Sequence, residues 1–388
     1  MDITLITSIF ESPFHSNRAP YNEQLFLRLS RNANINIIRP ISWVEIAKST
    51  KKLSKADYYE GDWNGIPILF PTYYFIPRVG HYISGYCYWL SVYKAFYSTQ
   101  KIPDVFFSAW VYPDAFATML LAKKHKKPLV VSVLGSDINV LAQQSDKKRK
   151  LQQVLNYASA IFSPSRALAD CVVALGVDTA KVHVVHCGID AQLFFPSDRK
   201  ICAQQLDIPA DKKRIVYIGN FKVAKGIIDY LEAVHKLSKK HTDFEAVIIG
   251  KGEDEQLVRN TIAKLDIAPF VRLVGEVNHD KLNIWLNSSD CLCLPSYAEG
   301  LPNVVLEALA TNTNVVATNV GGIPEAVKNS DRCLMNPGDI DGLTDRLESA
   351  LYDSSFVTEP GFAIRSYEDM AQQVLELTES AYRGFSQK

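Results

Sequence analysis

Short apolar runs rich in Val and Ile alternate along this chain with amphipathic stretches of helical length, the pattern of parallel strands joined by crossover helices. In the first half the predicted strands are 3–8, 35–38, 66–70, 105–108, 129–134, 160–162 and 182–185. In the second they are 215–218, 246–249, 271–274, 291–294 and 314–317. A chain of 388 residues exceeds what one hydrophobic core usually organises, so two open α/β sheets are expected. Between the two sets, Cys187-Gly188-Ile189-Asp190 and then Phe194-Phe195-Pro196 lead into a polar segment, which predicts a linker near 187–205. The expected division is 1–190, 191–366 and a closing amphipathic helix within 367–388, read over 367–383 and expected to pack back on the first domain.

Composition excludes several classes. A hydrophobic fraction of 47% and a charged fraction of 22% are those of a folded globular protein. Seven irregularly placed cysteines do not make a disulfide scaffold and read as buried free thiols in a reducing, cytoplasmic compartment. The apolar run after Met1 lacks a basic leader and stops at Glu11 and Pro13, so it reads as a first strand and not a signal peptide. No run reaches the ~18 apolar residues of a spanning helix.

The formal net charge is zero but unevenly distributed: residues 1–200 hold 23 Lys and Arg against 15 Asp and Glu. A basic first half can steer toward phosphate groups or an anionic membrane surface, or be only a solvated face. Its most aromatic part, 63–97, includes Tyr73, Tyr74, Tyr82, Tyr86, Trp89, Tyr93 and Tyr97 among Arg78, His81 and Lys94. Aromatic faces suit sugar stacking or the membrane interface, but a helix packed on its own sheet is the commoner origin of such a stripe.

The segment with the clearest chemistry is Pro295-Ser296-Tyr297-Ala298-Glu299-Gly300-Leu301-Pro302-Asn303-Val304-Val305-Leu306-Glu307-Ala308-Leu309. It follows an apolar strand, and Pro302 is placed for the first turn of a helix running to about Ala310. A glycine-containing loop before free backbone N–H groups is a site for an anion such as a diphosphate, with no metal needed. A carboxylate accepts through two oxygens, so Glu307 suits a ribose diol while Glu299 faces a donor sugar. Two surface glutamates near a helix N-terminus would look the same.

This E-x7-E within E-G-L-P-N-V-V-L-E-A-L-A resembles the donor-site motif of glycosyltransferase family 4, the group 1 retaining transferases. The resemblance covers nearly the whole chain. Gly219-Asn220-Phe221-Lys222-Val223-Ala224-Lys225-Gly226 resembles the family's strand-end segment with its phosphate-binding Lys. Ile248-Ile249-Gly250-Lys251-Gly252, Val274-Gly275-Glu276-Val277 and Gly321-Gly322-Ile323-Pro324-Glu325 fit in order. The resemblance implies a GT-B fold, two Rossmann-like doubly wound α/β domains facing each other across a cleft. The first would bind the acceptor and the second a nucleotide-sugar donor, with a UDP-sugar the expected one, which is a substrate; no cofactor or metal is implied. It also implies front-face attack, with the departing phosphate helping to deprotonate the acceptor hydroxyl. Acceptors in such a family are often glycans or lipid-linked oligosaccharides of surface polysaccharides, which suits an enzyme on the inner face of the cell membrane and gives no role to nucleic acid.

On this reading Lys225 supplies the point charge for the leaving diphosphate, and Gly226 lets the following helix begin close to it. Donor contacts are expected from Gly219, Asn220, Lys222, Lys225, Gly250, Gly252, Val277, Glu299, Gly300, Leu301, Pro302, Asn303, Val304 and Glu307. The family often has Arg at the position of Asn220, and Lys222 is a candidate substitute. On the acceptor side, Ala109 and Leu134 stand where His is frequent, which leaves Asp114, as a catalytic group, and Asp137 as polar candidates; a turn or capping role is as natural for each. Arg18-Ala19-Pro20-Tyr21-Asn22-Glu23-Gln24 resembles family variants entering the first helix. His15, His81, His183 and His186 have no metal-ligand spacing and read as structural. Two rival readings are a dehydrogenase, which lacks its G-x-G-x-x-G, and a catalytically silent sugar- or partner-binding module.

Overall fold

The computed structural model describes residues 1–14, 20–76, 84–99, 101–328 and 330–387. His15, Arg18, Ala19, Arg78, His81 and Tyr82, singled out above, lie outside the described residues. The chain forms two compact units, Met1–Gly188 with Tyr367–Lys388, and Ile189–Ser366.

The strands of the first unit are β1 (Asp2–Ile6), β2 (Asn34–Ile38), β3 (Ile41–Ser42), β4 (Glu60–Trp63), β5 (Ile66–Leu69), β6 (Thr72–Tyr73), β7 (Val105–Ser108), β8 (Leu129–Ser132), β9 (Ala160–Ser163) and β10 (Val182–Val184). Eight make one sheet in the order β10-β9-β8-β7-β1-β2-β5-β4, and β3 pairs with β6 apart from it. All pairs in the large sheet are parallel except β4 with β5. Strand β4 and the β3–β6 pair had no signal as apolar runs: β4 is Glu-Gly-Asp-Trp, exposed over most of its length, and the others are two residues long.

The sheet is buried on both faces. Along β7, Val105 and Phe107 enter one core with Ile3, Leu5, Ile37 and Phe162, while Phe106 enters the other with Ile6, Val131 and Tyr88. The helix Ser84–Thr99 packs its Tyr88, Val92 and Phe96 into this second core, so this part of the aromatic run has the packing role expected of a helical stripe, while Tyr86 and Tyr97 stay exposed. The helix Tyr367–Ser386 closes the first face with Tyr367, Met370, Val374 and Leu375, and Glu368 takes Arg28 Nε at 2.8 Å.

The second unit holds β11 (Lys213–Ile218), β12 (Phe244–Ile249), β13 (Val271–Gly275), β14 (Cys291–Leu294), β15 (Asn314–Thr318) and β16 (Leu334–Met335) in the order β13-β12-β11-β14-β15-β16, all parallel. Its base is tied by a buried Arg214, which donates to Glu245 at 3.0 Å and to the Ser288 carbonyl at 2.6 Å. The unit begins at Ile189, whose N–H donates to the Arg365 carbonyl. The linker predicted over 187–205 is shorter than expected, because Arg199–Gln205 is a helix capped by Asp198, which accepts from Lys200 N at 2.7 Å. The cysteines are all free: Cys171 is exposed, Cys87 and Cys187 half-buried and the rest buried, so Cys171 departs from the buried thiols expected. Among the described residues no helix is long and apolar enough to cross a membrane.

Candidate functional site

In each unit the strand order runs outward in both directions from one central pair, and the crevice at the carboxyl ends of that pair is where open α/β sheets take ligands. In the second unit the pair is β11 and β14. The chain leaves β11 through Gly219 and Asn220 into the turn Val223–Lys225, and leaves β14 into Pro295 and the loop carrying Glu299. The two segments are laced together: Tyr297 N donates to the Ala224 carbonyl at 3.0 Å, and a Cβ on Gly226 would fall 1.9 Å from the Pro295 carbonyl oxygen. Gly226 also has φ of +68°, so a side chain there is refused both by conformation and by space.

Across this crevice Lys225 Nζ donates to Glu299 Oε1 at 2.8 Å. The lysine side chain is 33% exposed and the glutamate 10%, so the ammonium faces solvent while the carboxylate backs it. Gly321, at φ of +56°, lies under the same loop, where a Cβ would meet the Glu299 carbonyl oxygen at 2.0 Å. Gly300 is half-buried and Leu301 buried. Pro302 caps the helix Asn303–Ala310 from outside, one residue short of the first-turn position expected, and its carbonyl accepts from Val305 N at 3.1 Å. The N–H groups that open this helix, Asn303 and Val304 among them, have no acceptor within it.

The neighbouring loops complete the rim. Gly219 N donates to the Ile249 carbonyl at 3.0 Å, Gly250 N to the Gly275 carbonyl at 2.8 Å, and Gly252 packs on Phe221. Asn220 is exposed. Lys222, the candidate substitute for the missing arginine, pairs through its ammonium with Glu253 at 3.1 Å, both exposed, while its carbonyl accepts from Lys225 N at 2.8 Å. Val277 is half-buried in the loop that precedes the helix His279–Asn287.

Glu307 is not a surface glutamate. It is 5% exposed, and its Oε1 lies 2.8 Å from His279 Nε2. The imidazole packs against Phe194, ring centroids 5.0 Å apart. Hydrogen bonding to Glu307 raises the His279 pKa above its ordinary value, against the opposing effect of burial. Sequence reasoning passed over His279. The available signal was its position two residues after Val277, opening a helix at a strand's carboxyl end.

In the first unit the central pair is β1 and β7, and Asp114 sits at their carboxyl ends with Oδ2 accepting from both Ser8 N and Ser8 Oγ at 2.9 Å. Asp137 accepts through Oδ1 from Leu134 N at 3.0 Å and Gly135 N at 2.8 Å. Both are fully buried, and through these bonds their carboxylates hold the strand-end loops in place. Burial pushes each up to about 6. Glu23, in the first helix, is pushed up to about 7 by burial and then by Glu11, whose N–H it accepts at 3.1 Å. Among the described residues no group of three or more His, Cys, Asp or Glu is arranged to hold a metal.

Two family models match the chain: glycosyl transferases group 1 over residues 198–371 and glycosyltransferase family 4 over residues 54–193. A protein of Bacillus subtilis (strain 168), TuaC, assigned as a glycosyltransferase to teichuronic acid biosynthesis, is 26% identical over 392 residues, covering 96% of this chain and 94% of its own. Among solved structures, sucrose-phosphate synthase from Thermosynechococcus elongatus superposes with a TM-score of 0.78 at 17% identity over 99% of both chains. Anabaena Alr3699/HepE in complex with UDP superposes at 0.72 and 16% identity over the full length of both. At these identities the two structural likenesses are of fold.

Proposed function

The chain belongs to the family 4, group 1 glycosyltransferases and has the GT-B architecture of two Rossmann-like domains, and from that premise we propose that it is a retaining enzyme transferring a sugar from a UDP-sugar to a glycan or lipid-linked acceptor of a surface polysaccharide. The observation that carries the donor reading is the Lys225–Glu299 pair, set across the crevice of the second unit beside a glycine loop and an open helix start. An ammonium has three donors, so Lys225 can keep Glu299 and still give two N–H groups to a diphosphate. Support for uridine comes from the Anabaena protein, whose fold is shared and which holds UDP; support for a surface polysaccharide comes from TuaC.

In the reaction, the bond between the sugar's anomeric carbon and the diphosphate oxygen breaks, with its electron pair leaving on the diphosphate. The acceptor oxygen bonds to the same face of that carbon, and its proton passes to the departing phosphate. Lys225 and the amides after Gly300 stabilise the negative charge that grows on the leaving group, which is the work a metal would otherwise do. Glu299 orients the sugar and Glu307 the ribose. The acceptor half works at the inner face of the cell membrane, on the cytoplasmic side.

The test is transfer from a panel of UDP-, GDP- and ADP-sugars, with and without a chelator, reading the anomeric configuration of the product by proton NMR. Transfer with retention from one UDP-sugar, insensitive to chelation, is expected. Inversion overturns the stereochemical reading, and tight UDP binding without transfer or hydrolysis makes the chain a silent binding module.

A further inference from the structure

Glu307 has one oxygen already occupied. It projects from the helix Asn303–Ala310 into a nearly closed position, and a carboxylate so buried on a single flexible torsion could present either oxygen, at any tilt, to a ligand. His279 removes that freedom. Its Nε2 lies 2.8 Å from Glu307 Oε1, and its ring, partly open to solvent, packs against the buried Phe194 at 5.0 Å between centroids. Phe194 is fixed by the turn that opens the second unit, its N–H donating to the Asp190 carbonyl at 2.8 Å. The chain of contacts runs from that turn through an aromatic ring and an imidazole to the carboxylate, so the orientation of Glu307 is set by residues 28 and 113 positions away in sequence.

We propose that His279 is a positioning residue for the donor's ribose: it fixes Glu307 Oε1 so that the remaining lone pairs of the carboxylate point at a vicinal diol. The inference rests on the reading of Glu307 as the ribose acceptor. Four lone-pair sites on a carboxylate less the one His279 takes leave three, enough for both hydroxyls. A group already held in its working geometry loses less freedom when the ligand arrives, which is where the affinity gain arises. The charged groups acting on the imidazole, Glu307, Asp190 and Asp280, are all acidic and favour its protonated, donating form, while burial opposes them. The pair is thus charge-assisted on the acid side of the imidazole's titration and weaker above it.

The experiment is titration calorimetry of wild type, His279→Ala, His279→Gln and Glu307→Gln with UDP, GDP and ADP and the 2′,3′-dideoxy form of whichever wild type binds. Expected is a roughly tenfold loss of affinity in His279→Ala for the ordinary nucleotide, the scale of one charge-assisted hydrogen bond, and almost none for the dideoxy form, which has no diol to read. Partial rescue is expected in His279→Gln, whose amide can still donate. Wild-type affinity should fall as pH rises through the imidazole's titration, and His279→Gln should be flat over that range. Full affinity in His279→Ala, or equal losses for ordinary and dideoxy nucleotides, overturns the proposal. If Glu307→Gln binds the ordinary nucleotide as wild type does, the ribose reading itself fails; if Glu307→Gln loses diol-dependent affinity and both His279 variants do not, only the role of His279 fails. Should His279→Ala not fold, the pH comparison of wild type with His279→Gln decides alone. No binding of any diphosphate by wild type overturns the donor reading and this proposal with it.

Discussion

Lys225 and Glu299 meet at 2.8 Å from segments 74 residues apart, one leaving β11 and the other leaving β14, where the strand order of the second unit reverses. The pair places a cation at the mouth of the crevice and holds it there before any ligand arrives. A lysine is a compact point charge on a flexible stem, so without a partner it would sample many positions. With Glu299 behind it, the charge that a leaving diphosphate needs is pre-aimed, which is the condition for electrostatic stabilisation to favour the transition state.

Removing the charge should therefore affect turnover far more than folding. Lys225→Ala is expected to lower kcat by roughly a hundredfold or more, the scale seen when one preorganised donor to a developing anion is removed. Its melting temperature should fall only modestly, because the lysine is a third exposed, although Glu299, 10% exposed, loses its cation. An unchanged kcat in a folded variant would remove Lys225 from the chemistry.

Glu307→Gln keeps shape and one acceptor oxygen but loses charge. Donor affinity should fall by about 1–3 kcal/mol, the range for a hydrogen bond to a charged group, with kcat at saturating donor less affected. Calorimetry against the nucleotide and steady-state kinetics measure the two separately. Intact affinity beside a lowered melting temperature would mark Glu307 as a member of the helix and nothing more.

The framework of the second unit's candidate site was legible because it is written in contiguous residues: a buried strand, a glycine loop and a helix start follow one another from Cys291 to Ala310. What a sequence does not display is which loop meets which. His279 and Glu307 lie on different strand ends, and nothing in the spacing of either predicts a bond between them. Lys222 and Lys225 look interchangeable in sequence, yet one turns to Glu253 and the other to Glu299, since only Lys225 immediately precedes the glycine that abuts Pro295. For the aspartates of the first half the sequence left open a loop-bonding or an acceptor-side role, and the structure shows them buried and bonded to the strand-end loops. Burial depends on what the rest of the sheet places above them.

Asp114 gives the first unit a pH dependence with a definite sign. Its folded value of about 6 lies above the ~3.9 of an unfolded aspartate, so the folded state binds the proton more tightly. The stability this contributes is fully present below the unfolded value and is lost as pH rises through about 6. Urea unfolding should show wild type losing stability as pH rises from about 4 to about 7, with Asp114 contributing on the order of 2–3 kcal/mol of the total change across that window. Asp114→Asn can still accept from Ser8 and does not titrate, so its slope should be shallower; Asp137, shifted the same way, leaves a residual. Parallel curves for the two proteins would rule Asp114 out as the source.

Attachment of the first unit to an anionic bilayer should have two separable components. The helix Ser84–Thr99 presents Tyr86, Leu90 and Tyr97 outward at 53%, 47% and 37% exposure, spaced so that they share one face with Lys94. Lys124 of the adjoining helix lies over the rings of Tyr93 and Tyr97 at 4.7 and 4.9 Å, and Lys123, Lys126 and Lys127 stand beside it in the chain. No Asp or Glu occurs from Trp63 to Pro103 or from Ala115 to Ser136, so no carboxylate of these stretches offsets that charge. Lysines draw the face to anionic headgroups over about one Debye length, and the apolar side chains then enter the interface. Sedimentation with vesicles of phosphatidylglycerol and phosphatidylcholine should show binding that falls only in part as salt is raised. Lys123→Glu with Lys124→Glu should abolish the salt-sensitive part, Tyr86→Ser with Leu90→Ser the salt-resistant remainder, and pure phosphatidylcholine should bind weakly throughout. Protein that stays wholly in the supernatant with anionic vesicles at low salt would end the membrane reading and make a soluble glycan the better acceptor.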